Sequence, residues 1–298
     1  MPGKLYIVAT PIGNLSDMTP RGVQVLSDVD MVAAEDTRHS RVLLSHFGIC
    51  TPLFSCHKFN EEKRGDFFVS ALLEGKDVAL ISDAGTPCIS DPGHRLVARA
   101  AAAGVEVVAV CGVNAATAAL SVSGFNASQF IFLGFLPRSV KEIQKKIRMV
   151  PYGLFCPIIF YESPLRIAKT LAWLGENYPN ADVCLCNDLT KKFERVYRGT
   201  PKTILDELSQ NSSANKGEYT CVVLLNAEEK IEAVEEVSLE AQLVDIIVKE
   251  DCTLKDAANI LHSGKLEGIP GQARDDGGKR PNKKSIYAAT LRLKELLP

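Results

Sequence analysis

Leu5-Tyr6-Ile7-Val8-Ala9-Thr10-Pro11-Ile12-Gly13-Asn14-Leu15 joins a continuous apolar run to a loop stiffened by proline and opened by glycine. Residues 5–9 are too few for a helix and rich in β-branched and aromatic side chains, so they read as a buried strand. Proline fixes φ and glycine admits angles closed to other residues, so residues 10–15 read as a shaped loop. The same arrangement recurs downstream. Met31-Val32-Ala33-Ala34-Glu35 leads into Asp36-Thr37-Arg38-His39, and residues 77–82 lead into Asp83-Ala84-Gly85-Thr86-Pro87-Cys88-Ile89-Ser90-Asp91-Pro92-Gly93. Thr19-Pro20 supplies a cap and a proline at the first helical position, followed by the apolar stripe Val23, Leu26 and Val29. Residues 95–103 read as a helix, 105–110 as a strand, 115–122 as a helix and 130–136 as a strand. This alternation, with strands apolar on both faces, predicts an α/β fold with mostly parallel sheets covered by helices.

Past residue 137 the character changes. Arg138, Lys141, Lys145, Lys146 and Arg148 face a single acid, Glu142, while Val140, Ile143 and Ile147 keep a helical period. That segment reads as a basic amphipathic connector, or as a solvated helix without a ligand. A second series follows, with strands at 158–161, 183–186 and 220–225 and helices at 165–174 and 203–208. Residues 228–236 are acidic and irregular, a linker. Helices at 239–249, 253–258 and 283–296 close the chain, with a Gly- and charge-rich stretch at 264–281. Four parts result: an α/β lobe at 1–137, a connector at 138–151, a second α/β lobe at 152–228 and a small helical, helix-turn-helix-like domain at 238–298.

The bulk numbers exclude several classes. With 298 residues, 46% hydrophobic and 23% charged, the chain is globular and not disordered. A net charge of −2 rules out a surface that is basic throughout, so any polyanion must meet local patches. The connector is one such patch. The tail is another, with Lys265, Arg274, Lys279, Arg280, Lys283 and Lys284. Nine cysteines, several of them in core-strand segments, are expected to be reduced thiols of a cytoplasmic protein, since the start lacks a signal-peptide pattern and no apolar run reaches bilayer length. No Gly-x-Gly-x-x-Gly, Walker A or Gly-x-Ser-x-Gly pattern occurs. Cys184-x-Cys186 has no second pair, so no metal site is expected.

Three loops therefore carry the chemistry: 10–15, 35–38 and 82–93. Each follows a strand, where open α/β sheets keep their ligands. The bland alternative is a set of tight turns whose aspartates cap helices. These loops resemble the signatures of the ribosomal RNA small subunit methyltransferase I family, of the tetrapyrrole-methylase fold class. The resemblance continues through Gly134-Phe135-Leu136-Pro137, Phe160-Tyr161-Glu162-Ser163-Pro164-x-Arg166, Leu189-Thr190-Lys191-Lys192-Phe193-Glu194 and Lys216-Gly217-Glu218. It covers residues 4–226, and the tail resembles the family's helical C-terminal domain more loosely. One departure is Cys111-Gly112-Val113-Asn114, where the family carries Pro-Gly-Pro-Ser.

The resemblance implies a two-lobed enzyme that binds S-adenosylmethionine between its lobes. It implies methylation of the ribose 2′-hydroxyl of a cytidine in the decoding region of 16S rRNA, within the small ribosomal subunit, by a homodimer with no membrane role. A hydroxyl is a weak nucleophile, so a base is expected nearby. Asp36, Asp83 and Glu194 are candidates, alongside Asp91 and Glu162, and Lys191 would serve if its pKa were lowered. Arg38 suits phosphate or ribose. Pro11, Gly13, Asp83, Ala84, Gly85, Thr86, Gly112, Asn114, Tyr161, Leu189, Thr190, Gly217 and Glu218 are expected around the cofactor. Asn14, Arg38, Arg138, Lys145 and Lys283 are expected on RNA. Two other readings stay open: a methyltransferase of the same fold acting on a tetrapyrrole, and a non-catalytic RNA-binding assembly factor.

Overall fold

A computed structural model describes residues 1–57, 61–148, 150, 156–225, 239–250, 252–263 and 283–296. The chain forms two compact units, Met1–Glu229 and Lys230–Pro298. The first half of the large unit runs β1 (Lys4–Val8), α1 (Pro20–Asp28), β2 (Met31–Ala34), α2 (Thr37–His46), β3 (Leu53–Ser55), α3 (Glu61–Leu73), β4 (Val78–Ile81), α4 (His94–Ala102) and β5 (Glu106–Val110). Its sheet has the order β3-β2-β4-β1-β5, and every pair in it is parallel. Every residue of β2 and β4 is buried, as strands covered on both faces must be. Thr19 caps α1 as its sequence suggests: its side chain accepts from the Gly22 amide, and Pro20 opens the helix.

The second half runs α5 (Ala115–Ser123), β6 (Ile131–Phe135), α6 (Val140–Arg148), β7 (Ile158–Glu162), α7 (Ile167–Asn177), β8 (Asp182–Asn187), β9 (Arg195–Gly199), α8 (Pro201–Ser209) and β10 (Tyr219–Leu224). Its sheet has the order β6-β7-β10-β8-β9. The α/β class stands, but parallel pairing does not dominate here. Only β6 and β7 run parallel, whereas β10 is antiparallel to β7 and β8, and β8 is antiparallel to β9. The short 188–194 turn explains the last pair: a connection that short can join only antiparallel neighbours, since parallel ones need a crossover. Strands β3 and β9 and helices α2 and α3 are additions to the sequence reading. Arg195-Val196-Tyr197-Arg198-Gly199 alternates polar and apolar residues at a sheet edge, so it offers no apolar run.

β6 and α5, which sequence groups with the first lobe, pack with the second sheet. Ala116, Ala119 and Leu120 of α5 bury against Ile159, Cys184, Cys186 and Val222. Helix α6 packs there too. Its stripe residues Ile143 and Ile147 join Leu136, Ile158, Phe160 and Leu171 in one core. Arg138, Lys141 and Lys145 stay exposed on the other side. Lys146 turns back and donates to the carbonyl oxygens of Leu133 and Phe135. None of the nine cysteines forms a disulfide, and Cys56, Cys156, Cys184, Cys186 and Cys221 are buried.

The small unit contains α9 (Leu239–Glu250), α10 (Leu254–Ser263) and α11 (Lys283–Leu296). Leu243, Ile246, Ala257, Leu261, Ile286, Ala289 and Leu293 form its core. Thr253 caps α10 by accepting from the Asp256 amide at 3.3 Å, and an Arg292–Glu240 ion pair ties α11 to α9. The tail residues Lys265, Arg274, Lys279 and Arg280, and the Lys283 side chain, lie outside the described residues. No helix among the described residues is long and apolar enough to cross a membrane.

Candidate active site

The carboxyl ends of four parallel strands are stitched together by one turn, residues 82–86. Thr10, just past β1, exchanges two backbone hydrogen bonds of 2.9 Å with Gly85. Gly85 sits at φ +79°, where a side chain would be strained. The Thr10 hydroxyl donates to the Ser82 carbonyl at 3.2 Å. The Asp36 amide, past β2, donates to Asp83 Oδ1 at 3.1 Å. The Thr86 hydroxyl donates to the Val113 carbonyl, past β5, at 3.1 Å. In the departing loop Gly112 is retained for a steric reason: a Cβ there would lie 2.8 Å from Ala9 Cβ. Asn114 caps α5, accepting from the amides of Ala116 and Thr117 at 3.0 and 3.3 Å. Serine and asparagine are both preferred at such a cap position.

The second sheet meets these loops at Gly13. A Cβ on Gly13, at φ +154°, would fall 2.3 Å from Lys191 Cγ. The Lys191 ammonium lies 2.8 Å from Asp188 Oδ1 and 2.8 Å from Glu218 Oε2. Burial, the largest single influence, pulls its pKa down, but the two hydrogen-bonded carboxylates together outweigh burial and hold it above the usual lysine value. The two carboxylates thus favour the charged ammonium, the direction opposite to the lowered pKa that a base role for Lys191 would require.

Asp188 is the residue that sequence reading missed. Its amide donates to the Glu218 carbonyl at 2.9 Å, and its Oδ1 accepts from the Glu218 amide at 3.3 Å. It sits at φ +53°, and Thr190 at φ +67°, both left-handed without being glycine. For a β-branched threonine that is an outlier, and such strain clusters at functional sites. Glu194 braces the turn: its Oε2 accepts from the Thr190 amide at 2.6 Å, and its own amide donates to the Lys191 carbonyl at 3.1 Å. The Thr190 hydroxyl is buried without a hydrogen-bond partner. An aspartate three residues before a lysine, at the end of an apolar strand, is the signal that could have flagged Asp188.

The remaining candidates divide between chemistry and scaffold. Asp36 caps α2, accepting from the Arg38 amide at 2.8 Å, and binds the Arg38 guanidinium at 2.7 Å. Hydrogen bonding from the Arg38 side chain, then from its amide, pushes the Asp36 pKa far below the carboxylate range. That makes Asp36 a weak proton acceptor. The Arg38 side chain is 89% exposed. Asn14 is exposed and caps the short turn after it, accepting from the Ser16 amide at 3.0 Å. Glu162 is buried and satisfied, accepting from the Ser163 amide, the Thr170 hydroxyl and Arg166. Arg166 also donates to the carbonyls of Leu136 and Pro137, so this motif is a brace between α7 and the end of β6. The Tyr161 ring packs edge-on against Phe132 and Phe135, with centroids 5.0 and 5.5 Å away. Burial raises its pKa, a backbone hydrogen bond from Ala116 lowers it, and the charge of Asp91 raises it further. Gly134 is 3.8 Å, from its would-be Cβ, to Ser90 Oγ of the same loop.

Two carboxyls have pKa values raised toward neutrality. Glu35 is shifted by burial first, then by the charges of Asp91 and Asp83. Asp91 is shifted by burial first; Asp83 adds to the rise, against a hydrogen bond from Ser82. The native state therefore holds the Asp91 proton more tightly than the unfolded chain does. Its ionisation costs stability above the folded pKa, and the cost fades as pH falls toward the ordinary aspartate value of 3.8. Asp91→Asn is expected to raise Tm at pH 7 and to raise it less at pH 4. Thermal unfolding at the two pH values checks this, and a variant that melts below wild type at pH 7 refutes it.

A family model for tetrapyrrole (corrin/porphyrin) methylases matches residues 4–205. Ribosomal RNA small subunit methyltransferase I of Pseudomonas aeruginosa is 44% identical over 272 residues, covering 90% of this chain and 93% of that protein. The Haemophilus influenzae protein of the same name is 41% identical, covering 87% of this chain and 91% of that one. Among solved structures, a cobalt precorrin-4 methyltransferase aligns with a TM-score of 0.55 at 19% identity, over 74% of this chain and 94% of its own. That likeness speaks to the fold alone, and the two lobes described above match it. Taken with the identity along nearly the whole length, it follows that the chain belongs to the ribosomal RNA small subunit methyltransferase I family, within the tetrapyrrole methylases.

Proposed function

We propose that this protein methylates the ribose 2′-hydroxyl of a cytidine in the decoding region of 16S rRNA, with the small ribosomal subunit as substrate. The observation that carries the reading is the meeting of the 10–15 loop, pinned to the 82–86 turn through Thr10 and Gly85, with the Asp188–Lys191–Glu218 cluster at Gly13, in a chain whose relatives bear that rRNA methyltransferase name. When bound, S-adenosylmethionine, the family's methyl donor, supplies an electrophilic methyl group on a sulfonium leaving group.

The residues present fit that donor. The buried Thr190 hydroxyl lacks a hydrogen-bond partner among the described residues. Gly13, Gly85 and Gly112 keep side chains out of the converging loops. Glu35, Asp83 and Asp91 bring negative charge to the same strand ends, which suits a cationic donor. We assign Pro11, Gly13, the 83–86 turn, Gly112, Asn114, Tyr161, Leu189, Thr190, Gly217 and Glu218 to its walls. Asp83 is held in a fixed orientation by the Asp36 amide, and we assign it the acceptance of the hydroxyl proton. Lys191 holds the two sheets' loops in register and stays protonated. Glu194 acts through the Thr190 turn that it braces, as a positioning residue. Asn14, Arg38, Arg138 and Lys145 contact RNA, with Arg38 exchanging its exposed Asp36 partner for phosphate.

The test is methyl transfer from labelled S-adenosylmethionine to small subunits from cells lacking this protein, with the modified nucleotide mapped. The expected result is label on the ribose of one cytidine. Label on a base, or cofactor binding with no label on RNA, overturns the reading.

A further inference from the structure

We infer that Phe193 and Lys192 form a stacking platform for an unpaired base of the RNA beside the acceptor nucleotide, an inference that rests on the rRNA reading above. Phe193 is 74% exposed, so its ring is open to a partner. It stands on the 188–194 turn, two residues from Lys191, whose side chain touches Gly13 of the first-sheet loop. The Lys192 ammonium lies 5.5 Å from the centre of the Phe193 ring. One exposed ring and one cation therefore occupy the same rim of the candidate active site.

The turn is rigid as well as exposed. Asp188 and Thr190 hold left-handed angles, Asp188 is cross-linked to Glu218 and Lys191, and Glu194 clamps the Thr190 amide at 2.6 Å. The ring is thus presented with little backbone freedom left to lose on binding. An aromatic face beside a cation matches a base next to its phosphate: the ring stacks on the base, and the ammonium meets the backbone charge. In single-stranded loops and bulges of RNA the bases are splayed out of the stack, so an unpaired base beside the acceptor ribose can take an aromatic side chain as its new surface. A second copy of the chain seated on this turn would instead bury Phe193 before RNA arrives.

Phe193→Ala, Phe193→Trp and Lys192→Gln separate these cases in steady-state methylation of small subunits, with S-adenosylmethionine affinity and sedimentation measured alongside. Phe193→Ala is expected to raise KM for the subunit roughly 10-fold or more, since stacking on one base carries an effect of that order. Its kcat, its cofactor affinity and its sedimentation are expected to match wild type. Phe193→Trp is expected to restore KM. Lys192→Gln is expected to raise KM and to lower the salt dependence by about one phosphate contact. Wild-type labelling of RNA with an unchanged KM in Phe193→Ala overturns the inference alone. So does a loss that tryptophan fails to rescue, or a change in sedimentation. A wild-type protein that labels no RNA removes the rRNA reading itself and the inference with it.

Discussion

Gly13→Val is expected to lower methyl transfer by about 100-fold while the protein stays folded. The backbone at Gly13 has φ +154° and the position of a Cβ lies 2.3 Å from Lys191 Cγ, 3.0 Å from its Cε and 3.2 Å from its Cδ. Lysine side chains usually swing aside, but this one is tied at its end by Asp188 and Glu218. Either the 10–15 loop shifts or Lys191 leaves both carboxylates. Each route displaces groups at the meeting of the two sheets, and a displacement of about 1 Å at a reaction centre is enough for a loss of that size. Gly13 itself is exposed and lies outside the cores of both sheets, so circular dichroism and Tm are expected to stay close to wild type. The measurement is kcat/KM for the subunit together with cofactor affinity. Wild-type transfer by the folded variant would show that the contact between Gly13 and Lys191 is dispensable.

Gly217→Ala is expected to act on stability instead, lowering it by about 3 kcal/mol and Tm by roughly 5–10 °C. The left-handed angle at Gly217, φ +81°, costs a residue with a Cβ about 1–2 kcal/mol. The larger part comes from overlap: the Cβ would sit 2.1 Å from Asp188 Oδ2 and 2.6 Å from Oδ1. Asp188 must then rotate away from Lys191 and from the Glu218 amide. Gly48 is the control. It has a similar angle, φ +67°, with nothing within 4 Å of a Cβ. Gly48→Ala is expected to lose only the conformational part, so the difference between the two variants isolates the Asp188 cluster. Equal Tm losses in the two would mean that the overlap is relieved without breaking the cluster.

Four strands of the first sheet were legible from sequence because they appear as apolar runs, with the fully buried Val78–Ile81 the clearest, whereas the three half-buried residues of β3 were too few to stand out. Helix starts were legible where a cap and a proline coincide, as at Thr19-Pro20. The second sheet was less so. β9 is an amphipathic edge strand, and β10 is antiparallel to neighbours that its own sequence does not name. The site divides along the same line. Loops such as 82–86 declared themselves through local proline, glycine and aspartate. The surroundings of Lys191 were not legible because one of its two carboxylate partners is Glu218, 27 residues away, and no local pattern reveals that partner. Asp188 was missed for the same reason: its importance lies in contacts across the fold.

The stitching of residues 82–86 to four strand ends also bears on how tightly a small ligand can be held. Thr10, Asp36 and Val113 each fix part of this turn by main-chain or short side-chain bonds. The freedom of those backbone groups is therefore surrendered when the chain folds and not when the ligand arrives. Association here should carry a small conformational penalty on the protein side, with heat release that is not consumed by ordering loops. Calorimetry would show this as a favourable enthalpy with little opposing entropy, and hydrogen exchange at the Gly85 amide would be slow before and after binding.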